Sequence, residues 1–272
     1  MSIGNIELRL PSRIIVDDLN ILDQSNEEML KANRISVSIE ILPLFSGQIR
    51  ITSAQLFGMK AHLTQQNASS PLNCQFLIDS LKSKDTLSNT PLDLRISSLI
   101  IRNGAISYDR SDMPRSRSGF SPYHLDITDL SSHIVLNQLT DDSLNLNLKR
   151  LHLAEKSGLH VKHLTFGLVA ANNDFKLSDF ILRLPDSEVN IPLAYFNYAT
   201  KEGKLSAFNH SIDIESSVAL SDVAFLHKNI AGSETYKVNI TSKGTEKICN
   251  TRFSIVSTGL NGSASATLNN IL

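Results

Sequence analysis

"LRISSLII" (94–101), continued by "RNGAISYD" (102–109), breaks the rule of alternation in its middle. Side chains of an extended chain point to opposite faces in turn, so Leu94 and Ile96 share one face while Leu99 and Ile101 have the other parity. The signature is apolar, x, apolar, x, x, apolar, x, apolar, and it recurs along the chain. "IIVDDLNI" sets Ile14 and Val16 before Asp17-Asp18, then Leu19 and Ile21; "IRITSAQL" sets Ile49 and Ile51 before Thr52-Ser53, then Ala54 and Leu56. "LDITDLSS" is a partial copy, with Leu125, Ile127 and Leu130. "LNLKRLHL" (146–153), "LHVKHLTF" (159–166), "FKLSDFIL" (175–182) and "VALSDVAF" (218–225) follow.

These four positions scatter around a helix, whereas each half alone keeps the two-residue period of a strand. The expectation is a strand with a phase slip. A β-bulge returns the second half to the original face, and Ser, Thr or Asp at the slip can bond to nearby backbone. The rival is a kink that shows the two halves to opposite sides. A bulge is the preferred reading, because bulges bend a sheet that must curve.

The copies are unevenly spaced, which excludes a fixed-period solenoid. Their close succession from Leu125 to Leu182 predicts an antiparallel meander with short connections. "RISVSIEI" (34–41) and "YKVNIT" (236–241) read as plain strands, and 111–122 and 200–204 as loops or turns. "NCQFLIDSLK" (73–82) predicts a helix with Asn73 as its N-cap and Phe76, Leu77 and Leu81 clustered. "DQSNEEMLKA" (23–32) is a second short helical turn or a polar loop.

Lysine and arginine (26) nearly balance aspartate and glutamate (27), so no basic excess draws the chain to nucleic acid. No apolar run approaches the roughly 18 residues of a spanning helix, and "MSIGNIELRLPSR" lacks the apolar region of a signal peptide. Cys74 and Cys249 have no metal-like or redox spacing, and whether they pair is open.

The serial order "DLNILDQSNEEMLKANRISVSIEILPLFSGQIRITSAQLFGMKAHL", "LNCQFLIDSL", "LDLRISSLIIRNGAISYD" resembles the N-terminal part of TamB-type proteins. These translocation and assembly modules belong to the AsmA-like superfamily, and the likeness is to their Bacteroidetes form. "SGLHVKHLTFGL" and "FILRLPDSEVNI" resemble the next stretch of the same proteins. The resemblance implies a periplasmic protein, anchored in the inner membrane, whose long sheet curls into an open apolar groove. It implies partners too: phospholipid acyl chains moving between inner and outer membrane, and an outer-membrane β-barrel of TamA/BamA type. It carries over no catalytic residue and no cofactor. The anchor expected before "IELRLPSRIIVDDLNI" and the expected C-terminal domain after "SASATLNNIL" imply a fragment of a longer protein.

The fold expected is therefore all-β: an elongated, curved antiparallel sheet forming an open groove, with one or two short helices. It is expected to run over 1–272 as one region, with a soft sub-boundary near 109–122. An apolar sheet face must be covered by a second sheet, by helices or by a ligand, and helical patterns are scarce. The candidate groove lining, from parity, is Ile35, Val37, Ile39, Ile49, Ile51, Leu94, Ile96, Leu99, Ile101, Leu146, Leu148, Leu151 and Leu153. The alternative is a structural or adhesive β-sandwich surface module in which these residues form a dry core. A third reading templates outer-membrane strands at the sheet edge.

Other residues invite chemistry and have a plainer account. His152, His160 and His163 suggest a metal, but the two in "HVKH" take outward positions without a carboxylate or cysteine at ligand spacing, so no metal is expected. Asp17-Asp18, Thr128-Asp129, Ser178-Asp179 and Ser221-Asp222 recur at the slip and read as backbone-bonding residues rather than catalytic acids. Arg110, Arg115 and Arg117 form a basic loop cluster, solvated or in contact with a lipid headgroup. No nucleotide, hydrolase or zinc-protease motif is present, and the chain is expected not to be an enzyme.

Overall fold

The computed structural model describes residues 1–45, 49–82, 92–115, 119–139, 142–202, 204–227 and 229–271. Two compact units result: Met1–Ile134 with Leu153–Ser157, and Val135–His152 with Gly158–Leu272. The described strands are β1 (Asn5–Arg9), β2 (Arg13–Leu22), β3 (Glu28–Ile39), β4 (Ile49–Phe57), β5 (Lys60–Gln65), β6 (Leu92–Arg110), β7 (His124–Leu139) and β8 (Ser143–Glu155). They continue as β9 (His160–Ala171), β10 (Asp174–Arg183), β11 (Glu188–Lys201), β12 (Lys204–Ala219), β13 (Thr235–Thr245), β14 (Ile248–Ser257) and β15 (Leu260–Asn269). Among the described residues three short α-helices interrupt them, α1 (Ile41–Leu44), α2 (Gln75–Lys82) and α3 (Leu220–Val223), and a 3-10 turn (Ala224–Leu226) follows α3.

All fifteen described strands belong to one sheet, ordered as in the chain except that β5 lies off the path, beside β3 and β6. The all-β expectation holds, but the sheet is mixed rather than purely antiparallel, because β6 runs parallel to β4 and β5. A parallel pair needs a crossover, and the segment carrying α2 supplies it. β4 and β5 behave as one strand broken at Gly58: from Ser53 onward the register against β3 and the register against β6 both continue unchanged across the break.

The slip in 94–101 is real, and it belongs to a wedge. The row Ile39, Ile51, Leu94 and the row Val37, Ala54, Leu99 are joined by register. Between these rows the chain advances two residues in β3, three in β4 and five in β6. Extra length on one side of a ladder bends it. The slip residues stitch the wedge, as the Thr52 hydroxyl donates to the Ser38 carbonyl (3.4 Å) and the Ser97 hydroxyl to the Thr52 carbonyl (3.0 Å).

The slip at Asp17-Asp18 is of a second kind. Asp18 adds no residue relative to β1 or β3. Extending the registers, Gly4, Asp18, Asn33, Gly58 and Asn103 fall on one transverse line. Asp18 (φ 53°), Gly58 (φ 60°) and Asn103 (φ 53°) are left-handed on that line. Asp, Asn and Gly are the residues that tolerate this conformation. The strands thus slip in step, as a crease, and ladder pairing survives while parity reverses. A Cβ on Gly58 would lie 2.8 Å from Asn33 Cγ, so the crease is also sterically closed.

In the second unit the slip at Ser178-Asp179 is shared by two strands. β10 carries one extra residue against β9, β11 carries one against β12, and β10 and β11 stay in step. Asp179 is left-handed (φ 52°) on β10, and Pro192, which has no N–H to give the ladder, lies at the corresponding irregularity of β11. Asp129 on β7 is left-handed as well (φ 51°).

Four local expectations are corrected. "VALSDVAF" is not a slipped strand: β12 stops at Ala219, and the buried Asp222 carboxylate accepts the Asp186 N–H at 2.8 Å, drawing 220–223 into α3. Residues 23–32 form no helical turn, because Asp23 Oδ1 accepts the N–H groups of Ser25 (2.7 Å) and Glu27 (3.0 Å), and β3 starts at Glu28. Asn73 does not cap α2; its amide takes the Thr64 N–H (3.1 Å) and donates to the His62 carbonyl (3.0 Å), closing the edge of β5. Ile41 begins α1 instead of ending the strand 34–41.

Candidate apolar binding face

In the first unit, register aligns Leu8, Ile14, Val37, Ala54 and Leu99 in one row and Ile6, Val16, Ile35, Leu56 and Ile101 in the next. Residues two apart share a face, so both rows lie on one side. Past the crease the same side continues with Leu19 and Ala32, then Ile21 and Leu30. Leu19, Ile21 and Met29 form a buried cluster, against which Val16, Ile35, and Phe76 and Leu77 of α2 pack. The helix therefore covers the crease end of the face. At the sheet edge the face is open, with Ile6 62% and Leu8 61% exposed.

Of the parity-derived candidates, Ile35, Val37, Ile39, Ile51, Leu99 and Ile101 lie on this face. Ile49 and Leu94 hold register positions on β4 and β6, but the side chains of Ile49, Leu94 and Ile96 lie outside the described residues. Leu153 belongs to the first unit, and Leu146, Leu148 and Leu151 to the second, where Leu148 is buried and the other two half-buried.

The second unit has the longer face, and parity in the slipped copies only partly announced it. Register rows run Phe175, Phe196, His210, Gly244, Cys249, Leu268; then Leu177, Ala194, Ile212, Ser242, Thr251, Ala266; then Ile214, Ile240, Phe253, Ala264. The shared slip keeps Phe180 on this side, where its ring stacks on Phe166 at 6.2 Å. The opposite side is polar, as in the row Asp213, Thr241, Arg252, Ser265. Most of the apolar rows are neither buried nor free: Phe196 is 39% exposed and Phe253 36%.

Among the described residues every strand belongs to the one sheet.

Two concavities elsewhere mix polar and apolar lining. One of about 470 Å³ lies between Asp23, Thr64, Asn73 and Asp79, and one of about 390 Å³ surrounds Asp109, His124 and Glu155. In the latter, His124 spans Asp109 Oδ1 (2.9 Å from Nδ1) and the Met113 carbonyl (2.9 Å from Nε2). Burial alone would raise the Asp109 carboxyl, but the His124 hydrogen bond and the Arg115 charge outweigh it and hold the group below its ordinary value. Arg115 reaches Asp109 at 2.6 Å, and Arg110 pairs with Asp112 and lies 4.2 Å over the Tyr123 ring; Arg117 lies outside the described residues. His152 donates from Nδ1 to the Lys162 carbonyl at 3.3 Å. Among the described residues no three His, Cys, Asp or Glu groups gather as metal ligands, and Cys74 and Cys249 are free thiols.

No family model matches the chain, and comparison with curated proteins and with solved structures finds no match either.

Proposed function

We propose that this chain is a non-enzymatic lipid-handling segment of the cell envelope, working through shape and an apolar lining. The observation that supports this reading most is the half-exposed apolar face of β9–β15, on which Phe196 and Phe253 keep more than a third of their surface. Hydrocarbon burial contributes about 0.8 kcal/mol per CH₂, so one acyl chain on such a face gains on the order of 10 kcal/mol before ordering costs. No polar clamp is needed.

In the TamB-like form of this reading the segment works in the periplasm, within an inner-membrane-anchored protein. Its ligands are phospholipid acyl chains passing between the two membranes. Outer-membrane protein assembly with a TamA/BamA-type barrel is the companion role, and the uncharged edge strand β15 is compatible with strand addition. A dry sandwich module would require a second apolar layer packed against this face.

A photo-crosslinking residue at Ile240 or Phe253, in the full-length protein in cells, is expected to capture phospholipid. The same residue at the neighbouring, outward-facing Thr241 or Arg252 is expected to capture none. Equal labelling on both sides, or none at Ile240 and Phe253 in well-expressed protein, overturns the reading.

A further inference from the structure

The apolar face of the second unit is interrupted at one place. His210 on β12, Ser242 on β13, and Cys249 and Thr251 on β14 occupy two adjacent register rows. Cys249 Sγ lies 3.6 Å from His210 Nε2 and 3.7 Å from Ser242 Oγ. Ser242 Oγ is 2.9 Å from Nε2 and 2.8 Å from Thr251 Oγ1. His210 and Cys249 are on strands that do not pair with each other, and Gly244 stands between them. A Cβ on Gly244 would lie 2.5 Å from Cys249 Cα and 2.9 Å from its Cβ. The missing side chain lets imidazole and thiol meet across a whole strand. Phe208 packs its ring 5.8 Å from the imidazole on the other flank. Hydrocarbon binding uses none of these polar groups.

We propose that Cys249, with His210 as its base, is a nucleophilic thiol site for a soft electrophile borne on an apolar chain, such as an α,β-unsaturated aldehyde. An imidazole nitrogen within reach of a thiol is the arrangement that generates the attacking thiolate. His210 Nε2 takes the S–H proton and sulfur bonds to the β-carbon. The alkene electron pair moves through to the carbonyl oxygen as an enolate, and the imidazolium returns the proton to the α-carbon. Nothing leaves and nothing is oxidised, so the adduct weighs the protein plus the aldehyde. The preference for a chain-bearing electrophile rests on the lipid reading: Leu268, the register neighbour of Cys249, is 57% exposed, and Phe196 beside His210 is 39% exposed.

The test treats the full chain with trans-2-nonenal or with acrolein and follows adducts by intact mass and peptide mapping. Cys74 is the internal control, because it is the more exposed thiol while Cys249 retains 7% of its surface. Exposure alone makes Cys74 react first; the proposal expects Cys249 first. His210→Gln is expected to slow the Cys249 adduct about tenfold or more, as loss of a general base does, and to leave Cys74 unchanged. Labelling of Cys74 first, or a Cys249 rate indifferent to H210Q, overturns the thiol site and leaves the lipid reading standing. A nonenal-to-acrolein rate ratio at a His210-dependent Cys249 no greater than the ratio at Cys74 overturns the chain preference and counts against the lipid reading. The wild-type order of labelling decides the matter even where H210Q fails to fold.

Discussion

Ser97 on β6 donates its hydroxyl to the Thr52 carbonyl on β4 at 3.0 Å, joining the irregularities of two parallel strands. Thr52 in turn reaches the Ser38 carbonyl on β3. Ser97→Ala removes the first of these bonds where solvent can replace it. The expected loss is about 0.5–1.5 kcal/mol in urea unfolding, and no loss would mean that the wedge is held by chain length alone.

The left-handed positions should discriminate sharply between side chains. Asp179 has φ 52°, a conformation that costs a residue with a Cβ roughly 1–2 kcal/mol and costs glycine almost nothing. A β-branched side chain is worse placed there than Asp. Asp179→Val is expected to destabilise by about 1–2 kcal/mol or more, and Asp179→Gly to stay near the parent, both read by chemical denaturation.

Burial differs enough along the apolar side to be measured. Met29 is 2% exposed within the cluster under α2, whereas Phe253 is 36% exposed on the open face. Met29→Ala should cost about 2–5 kcal/mol. Phe253→Ala leaves no closed cavity and should cost clearly less, so comparable losses would reveal a hidden covering layer.

Acid should loosen the 109–124 region. A carboxyl held below its unfolded value stabilises the fold fully above that value, and the contribution disappears as pH falls through the folded one. Asp109 is such a group, set by the His124 hydrogen bond and Arg115 against the opposing effect of burial. Unfolding midpoints should fall as pH drops below the ordinary carboxylate range, and Asp109→Asn should flatten that slope. An unchanged slope in the variant would assign it to other carboxylates, Asp17 beside Arg34 among them.

Gly244→Ala places a Cβ against the Ile248 carbonyl and 2.5 Å from Cys249 Cα. Backbone offers no rotamer by which to yield, so β13 and β14 must separate locally. Hydrogen exchange at their paired amides, for example Ser242 and Thr251, should accelerate well beyond that of β10 and β11.

Strand identity was legible because period-two alternation with a defect is visible in single residues such as Leu94, Ile96, Leu99 and Ile101. Which defect each copy carries was not. The wedge at Thr52 and the crease at Asp18 look alike in sequence, and only the partner strand's residue count separates them. Asn103-Gly104 belongs to the crease yet escaped notice, since glycine replaces the apolar residue after the slip. Asp222 misled because the Asp186 backbone amide claimed its buried carboxylate. The Cys249–His210 approach depends on a glycine in a third strand, a relation with no footprint in local spacing.

A one-layer sheet has consequences for how the molecule comes apart. Within the second unit each strand leans on its two ladder neighbours, so its free energy resembles a chain of linked rungs more than the all-or-none melting of a closed core. β15 has a single neighbour, β14, and nearly every residue exposed, which makes it the place where the ladder unzips. A strand docked along that edge would convert a fraying end into an interior rung, and the gain would spread inward to β14 and β13. Partner binding at one margin would then be felt as rigidity several strands away, with no hinge required.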